Sequence, residues 1–305
     1  MIDLMCILPS IKGNAEKHIH NTVREIRAVT SGQGRMINKT LVVGASGRVG
    51  QLLARAWGLD GALPCLQHRG AGLDLPGSQV EWHPLSGQAV PGKFEAMIVL
   101  AGAVRGDLGL NAQLAKACLQ AAEAGGITRV LLASSSAVYG LGENLPESAP
   151  THPVNDYGRA KLQAESVADT YRARGLSVTS LRIGNVAGAD ALLAGIQPDR
   201  QVKIDQFADG KGPIRSYIGP QTLARLLAAL LEIPTPPVLN IATPRPVYMA
   251  DLALVAGADW AYQPAPPTAH QRITLDCALV SSLYSFSETS AADMVAEWNA
   301  TKGPK

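Results

Sequence analysis

The chain has 305 residues, enough for one large domain or for a domain with an additional lobe. Hydrophobic residues make up 47% of it, charged residues 17%, and the formal net charge is +2. This composition is typical of soluble globular proteins and gives no indication of a nucleic-acid-binding surface. No apolar run is long enough to span a membrane. The cysteines match no metal or redox spacing, so we expect free thiols and a cytoplasmic protein; they are Cys6, Cys65, Cys118 and Cys277.

Residues 1–35 differ in character from the rest of the chain. They lack the basic start and the long apolar region of a secretory signal. His18 and His20 lie two residues apart and would not share a helical face, which argues against a metal site there. We expect a loosely attached leader, with the compact domain beginning at Met36.

A strand, a glycine-rich turn and a helix follow one another at the start of the compact domain. The strand spans Lys39 to Gly44, and the helix continues to Trp57. The glycines permit a tight turn, a close approach of a pyrophosphate and close packing of helix on strand, while the helix N-terminus offers free N–H donors. We therefore predict a dinucleotide site, with a ligand-free tight turn as the alternative. The turn reads Gly44-Ala45-Ser46-Gly47-Arg48-Val49-Gly50.

The end of the second strand bears on the choice of cofactor. An acidic residue there would bind the adenosine ribose of NAD, but the sequence reads Gln67-His68-Arg69. Cations and no carboxylate suggest a 2′-phosphate, held by Arg48 and Arg69. NADP(H) is therefore favoured over NAD(H), with a plain surface role for Arg69 as the alternative.

Small and hydroxyl-bearing residues follow the next two buried strands. Leu100-Ala101-Gly102 ends the fourth strand and would leave room for a ribose or nicotinamide, or would simply pack against a helix. Ser134-Ser135-Ser136 follows the fifth strand. These hydroxyls could hydrogen-bond a substrate oxygen or cap a turn.

Tyr157 and Lys161 lie four residues apart at the head of a predicted helix and would therefore share one face. A free phenol has a pKa of about 10, and a nearby cation would lower it. The pair is a candidate proton-transfer device, although such a spacing also occurs on solvated helix surfaces.

Strands alternate with helices over residues 39–188, which predicts an α/β fold with a doubly wound parallel sheet, Rossmann-like. Residues 36–188 would form the dinucleotide-binding domain. Residues 189–305 would form mainly a smaller substrate lobe with returns to the main domain, and Ala208 to Ile218 reads as a hairpin-like segment.

Taken together, these motifs resemble the extended short-chain dehydrogenases/reductases, the NAD(P)-dependent epimerase/dehydratase family. The resemblance covers about residues 39–242. It rests on Gly44-x-x-Gly47-x-x-Gly50, Leu100-Ala-Gly, Ser134-Ser-Ser-Ala-Val-Tyr-Gly140, Tyr157-x-x-x-Lys161 and Leu181-Arg-x-x-Asn185-Val-x-Gly188.

The resemblance implies an enzyme with a catalytic triad of Ser135, Tyr157 and Lys161. Tyr157 would be the acid/base, Lys161 would hold the nicotinamide ribose and lower the tyrosine pKa, and Ser135 would bind the reacting oxygen. Asn185 and Arg215 would contact the substrate, and the family often forms homodimers. Cofactor contacts are expected at Gly44, Ser46, Gly47, Arg48, Val49, Gly50, Arg69, Leu100, Ala101, Gly102, Tyr157, Lys161 and Ile183.

Departures from the family pattern reduce the range of activities that we expect for this chain. Ser136 and Ala137 replace the Asp-Glu pair of the sugar dehydratases, so elimination is not expected. The segment after Arg215 lacks the acidic residues and histidine of nucleotide-sugar enzymes. We therefore predict hydride transfer between NAD(P) and a small, sugar-like carbonyl or carbinol. An NAD-dependent sugar epimerase and a non-catalytic dinucleotide sensor are the alternatives.

Overall fold

The structure is a computed structural model that describes residues 36–303, so the expected leader and its two histidines lie outside the described residues. The strands are β1 (Thr40–Val43), β2 (Cys65–His68), β3 (Gln79–Glu81), β4 (Ala96–Val99), β5 (Arg129–Ser135), β6 (Ser177–Ile183), β7 (Asn185–Val186), β8 (Val202–Gln206), β9 (Ile214–Arg215), β10 (Tyr217–Ile218), β11 (Val238–Ile241), β12 (Val247–Tyr248), β13 (Trp260–Pro264) and β14 (Arg272–Ile273).

Seven α-helices lie within residues 36–303. They are α1 (Arg48–Leu59), α2 (Leu110–Ala124), α3 (Asp156–Arg172), α4 (Pro220–Glu232), α5 (Met249–Val255), α6 (Ala278–Leu283) and α7 (Ala291–Ala300).

Seven strands form one parallel sheet in the order β11-β6-β5-β4-β1-β2-β3. Every residue of β1 and β4 is buried, as expected for strands covered on both faces. On one face Val42 and Ile98 pack with helices α1 and α4, and on the other Leu41 and Met97 pack with α2 and α3. The predicted doubly wound α/β fold is therefore confirmed.

Because all strands of the main sheet are parallel, their carboxyl ends lie at one edge, where ligands bind in such folds. The strand order reverses between β1 and β4, so a crevice opens there. The glycine turn follows β1, and the segment Leu100–Gly102 follows β4. Both predicted motifs therefore lie at the crevice.

Short strands and helices after β6 build a third hydrophobic cluster, separate from those on the two faces of the sheet. The segment that was expected to be hairpin-like is not a hairpin. Its β9 pairs with β12 and β14, while β10 pairs in parallel with β7. Strand β11 returns to the main sheet beside β6. The assignment of a leader, a dinucleotide domain and a substrate lobe stays a prediction.

No helix within residues 36–303 is both long and apolar enough to cross a membrane. Within the same residues no group of His, Cys, Asp or Glu side chains could hold a metal ion. The thiols of Cys65, Cys118 and Cys277 are free.

Candidate active site

An open cleft of about 530 Å³ lies at the carboxyl edge of the sheet. Its volume is in the range of small-molecule and cofactor sites. It joins the glycine turn, the ends of β4 and β5, the head of α3 and the segment after β6. It is lined by Gly44, Gly47, Arg48, Val49, Gly50, Leu100, Gly102, Ala103, Val104, Arg105, Ala133, Ser134, Ser135, Tyr157, Lys161, Ile183, Gly184, Asn185, Val186, Ala189, Asp190 and Ala191.

Backbone packing requires two of the three glycines of the turn. Gly44 has φ +91°, and a Cβ there would lie 2.5 Å from the Ala101 nitrogen. A Cβ on Gly50 would lie 2.4 Å from the Gly44 oxygen. Gly47 is the residue before α1, and its exposed backbone stands at the helix N-terminus. The turn is thus a rigid cradle whose open position adjoins free helix N–H groups.

Tyr157, Lys161 and Ser135 are brought together at the other end of the cleft. Asn155 caps α3 by accepting a hydrogen bond from the Gly158 nitrogen at 2.8 Å. A Cβ on Gly158 would lie 2.4 Å from the Ala137 oxygen, so the first turn of α3 packs directly on the segment after β5.

Lys161 lies on the same helical face as Tyr157. Its Nζ is 6.0 Å from the centroid of the Tyr157 ring and donates a 2.9 Å hydrogen bond to the Ala133 oxygen. This bond fixes the ammonium at the carboxyl end of β5. The predicted juxtaposition of the two side chains is present in the structure.

The electrostatics of the pair differ from the expectation. Burial raises the pKa of Tyr157, and the Ser135 hydroxyl beside it only partly opposes the shift. Burial also lowers the pKa of Lys161 to about 8, against the opposing charge of Glu165. The expected lowering of the Tyr157 pKa is therefore wrong for the protein alone, because desolvation of the phenolate outweighs the hydrogen bond with Ser135.

A buried ion pair supports this end of the cleft. The Arg182 guanidinium donates to both oxygens of Glu165, the shortest contact being 2.8 Å, and the Ser134 hydroxyl donates to the same carboxylate at 2.5 Å. Burial alone would lower the pKa of Arg182, but the Glu165 carboxylate and the Tyr139 phenol raise it overall. The pair ties α3 to β5 and β6 directly beneath the serines.

One buried polar atom points to a ligand at this end of the cleft. The Asn111 Oδ1 atom has no hydrogen-bond partner among the described residues, although its Nδ2 donates to the Ala103 and Leu108 oxygens. A Cβ on Gly102 would lie 2.5 Å from Asn111 Oδ1 and 3.0 Å from Lys161 Nζ. An acceptor and a cation thus converge beside a glycine whose position has no room for a Cβ, an arrangement that fits the hydroxyls of a ribose. The glycine cradle and this end together fit a nicotinamide dinucleotide.

The adenosine end contains fewer of the predicted contacts. Gln67 is used internally: its Oε1 accepts from the Gly44 nitrogen at 3.2 Å, and its Nε2 donates to the Trp82 oxygen at 2.6 Å. Arg48 lines the cleft, whereas Arg69 is exposed and outside its lining. Two further predicted contacts, Ser46 and Ala101, are also absent from that lining; the remaining predicted cofactor residues are present in it.

The predicted substrate residues divide between two spaces that share one lining residue. Ser135 and Asn185 line the main cleft, and Asn185 also lines a second cavity of about 40 Å³. Arg215 lies in this second cavity and not in the main cleft. Its guanidinium donates to the backbone oxygens of Ile214, His270 and Gln271.

Residues that the sequence reasoning missed also lie at the site: Asn111, Arg105, Asp190 and Ser136. Asp190 accepts hydrogen bonds from the Tyr217 hydroxyl and from three backbone N–H groups, and burial raises its pKa. Arg105 stands exposed in the loop after β4. Asn111 carried a usable signal, since an amide on the buried side of an alanine-rich helix requires a partner.

In comparisons of sequence, the central part of this chain matches a known protein family. Residues 103–217 match the model of the NAD dependent epimerase/dehydratase family. A UDP-glucose 4-epimerase of Azospirillum brasilense is 48% identical over 77 residues, which cover 24% of this chain and 21% of that protein. The matched segments span only about a fifth to a quarter of the first such relatives.

Solved structures are similar over most of the chain. A UDP-glucose 4-epimerase from Brucella ovis in complex with NAD has a TM-score of 0.69 at 22% identity, covering 85% of this chain and 96% of that one. A NAD dependent NDP-hexosamine 5,6-dehydratase of tunicamycin biosynthesis has a TM-score of 0.69 at 19% identity, covering 87% and 98%. At these identities the likeness establishes the fold. The family match over residues 103–217 agrees with the resemblance inferred from the motifs.

Proposed function

We propose, from the match to the NAD dependent epimerase/dehydratase family, that this protein is a nicotinamide-dependent oxidoreductase acting on a carbonyl or carbinol carbon of a small substrate. The observation that carries the proposal is the convergence of Ser135, Tyr157 and Lys161 on one cleft with the glycine cradle. The bound nicotinamide would supply or accept the hydride.

Side chains of the protein would bind the reacting oxygen of the substrate and transfer its proton. The Ser135 hydroxyl holds the reacting oxygen, and the Tyr157 hydroxyl gives or takes its proton. Lys161, fixed by the Ala133 oxygen, places a cation beside both the phenol and the position of a ribose. Because burial alone raises the Tyr157 pKa, the proton is held on the phenol until ligands change the surroundings of the site.

The cofactor-binding residues are proposed to be the glycine turn, Leu100, Gly102 and Ile183, together with Asn111. For the cofactor itself we propose NADP(H), with Arg48 at the 2′-phosphate; Arg69 is a weaker candidate because it lies outside the cleft lining. The expected homodimer and cytoplasmic location remain predictions.

The test replaces the phenol and measures binding separately from turnover. We expect Tyr157→Phe to leave the dissociation constant of the dinucleotide unchanged and to lower turnover by about 100- to 10,000-fold. Fluorescence titration with NADPH and NADH gives the binding and the cofactor preference. Tyr262→Phe, a change at a half-exposed tyrosine of β13, serves as the matched control. Turnover of Tyr157→Phe at the wild-type rate would rule out the assignment.

A second function, UDP-sugar 4-epimerisation, is favoured by the relatives that match a segment of this chain, since these are UDP-glucose 4-epimerases. Such an enzyme keeps its cofactor through both half-reactions, whereas a reductase exchanges it in each cycle. NAD(H) retained through purification, together with interconversion of UDP-glucose and UDP-galactose, would favour this second function over the first.

A further inference from the structure

The cavity that contains Arg215 shares one lining residue, Asn185, with the main cleft. It is also lined by Ser136, which directly follows the Ser135 proposed to hold the reacting oxygen, and by Ser216 and Thr274. A group bound in this cavity would therefore lie next to the residues that are proposed to surround the reacting oxygen.

The cavity is small. At about 40 Å³ it has room for about three water molecules, since each requires roughly 10–15 Å³ of such space. That is the size of a carboxylate with one or two carbons. It is far below the roughly 300–1,000 Å³ of sites for drug-sized ligands.

Arg215 is the charged group of this cavity, and some of its N–H groups make no hydrogen bond within residues 36–303. It is half-buried, and it gives two hydrogen bonds from Nη1 and one from Nη2, all to backbone oxygens. Within residues 36–303 its Nε–H has no acceptor and Nη2 retains a second N–H. A guanidinium with two donors left can bind both oxygens of one carboxylate.

Arg215 also lacks a carboxylate partner within the same described residues. Other arginines nearby do have one: Arg272 pairs with Glu143, and Arg245 pairs with Glu288. Burial lowers the pKa of Arg215, and the Tyr217 phenol and the Asp205 carboxylate only partly oppose the shift, so a bound anion would offset the remaining cost of the charge. The three backbone contacts hold the guanidinium in place without neutralising it.

We propose that Arg215 binds a carboxylate of the substrate, so that this site takes a compact hydroxy or keto acid and not a nucleotide-linked sugar. The proposal rests on the proposed function, which supplies the cofactor and Tyr157. It adds the substrate class, with Ser136 and Asn185 completing the polar wall around the carboxylate.

The test compares acids with uncharged compounds of matched chain length. NAD(P)H formation by the cofactor-loaded protein is measured with glycerate, gluconate and glucuronate, with glycerol, sorbitol and glucose, and with UDP-glucose. The rise in melting temperature of the cofactor-saturated protein is measured with each compound. We expect turnover or stabilisation with at least one acid, and neither with its uncharged counterpart.

Substitutions assign the effect to the guanidinium. Arg215→Lys keeps a cation but loses the paired donors, and we expect kcat/KM or affinity for the acid to fall by about 100-fold. Arg245→Lys, at an exposed ion pair on the same part of the chain, should change neither. If Arg215→Lys does not fold, added guanidinium ion should restore acid binding to Arg215→Ala.

Three outcomes would overturn the proposal: no acid binds, an acid binds equally well to wild type and Arg215→Lys, or UDP-glucose is converted while the acids are inert. In the last case, loss of activity in Tyr157→Phe would leave the proposed function intact and remove only the substrate class. A protein that binds no dinucleotide would instead remove the proposed function.

Discussion

Replacing Glu165 by glutamine would test whether the buried ion pair holds the candidate site together. The side chains of Arg182 and Glu165 are only 7% and 5% exposed, and the carboxylate accepts bonds from the guanidinium and from the Ser134 hydroxyl. Glu165→Gln keeps the shape but leaves Arg182 as an uncompensated buried charge. Such a loss costs about 3–5 kcal/mol of unfolding free energy, a large part of the roughly 5–15 kcal/mol available to a folded protein.

The assay is urea unfolding of the wild type and of three variants. Glu288→Gln makes the same substitution in an exposed ion pair and should cost at most about 1 kcal/mol. Replacing both buried partners, Glu165→Leu with Arg182→Met, should recover most of the loss because no unpaired charge remains. A cost of Glu165→Gln no larger than that of Glu288→Gln would refute the reasoning.

Two further predictions concern burial and close packing at the site. The folded chain releases the Lys161 proton at a pKa of about 8, whereas the unfolded chain keeps it up to a pH of about 10.5. Between these two pH values the free energy of unfolding should therefore rise with pH, by about 3 kcal/mol at full extent, relative to that of Lys161→Met. Urea unfolding of both proteins across the window measures the difference, and parallel curves would contradict it. Gly50→Ala should cost about 1–3 kcal/mol because the added Cβ meets fixed backbone. Gly70→Ala, whose Cβ would meet nothing within 4 Å, should stay within about 1 kcal/mol of wild type, and equal effects would count against the packing argument.

The fold could be predicted from the sequence because its signals are local. The strand β1, the glycine turn and α1 are contiguous, and their hydrophobic pattern and turn residues act within one βα unit. Tyr157 and Lys161 could be paired because helical spacing alone puts them on one face. The alternation of such units then implies the parallel sheet, and with it the edge where a ligand binds.

The short strands after β6 could not be predicted in the same way. Strand β9 pairs with β12 and β14, which lie some tens of residues further along, and β10 pairs back to β7. Two-residue strands carry no period that distinguishes one partner from another. The apparent hairpin was a local interpretation of residues whose partners are distant.

The electrostatics were missed for a related reason. The effect of Lys161 on Tyr157 was inferred from a pair, but the pKa of the phenol is set mainly by how many surrounding residues exclude water. Glu165 lies one turn after Lys161 on α3, and its partner Arg182 comes from β6. Helical spacing could suggest that Glu165 lies near Lys161, whereas only the folded sheet brings Arg182 to Glu165.

The same buried polar groups link the sheet to the wall of the small cavity. Arg182 donates to the Glu147 oxygen, and Glu147 in turn accepts from the Asn240 nitrogen. The Asn240 amide donates to the Leu145 oxygen, and Leu145 lines the cavity that contains Arg215. Because buried polar groups are costly when unpaired, each of these bonds constrains the next one. The position of the cavity wall is therefore set by β6 and β11 of the main sheet and not only by the short strands around it, so the two ends of a bound substrate would be held by one connected framework.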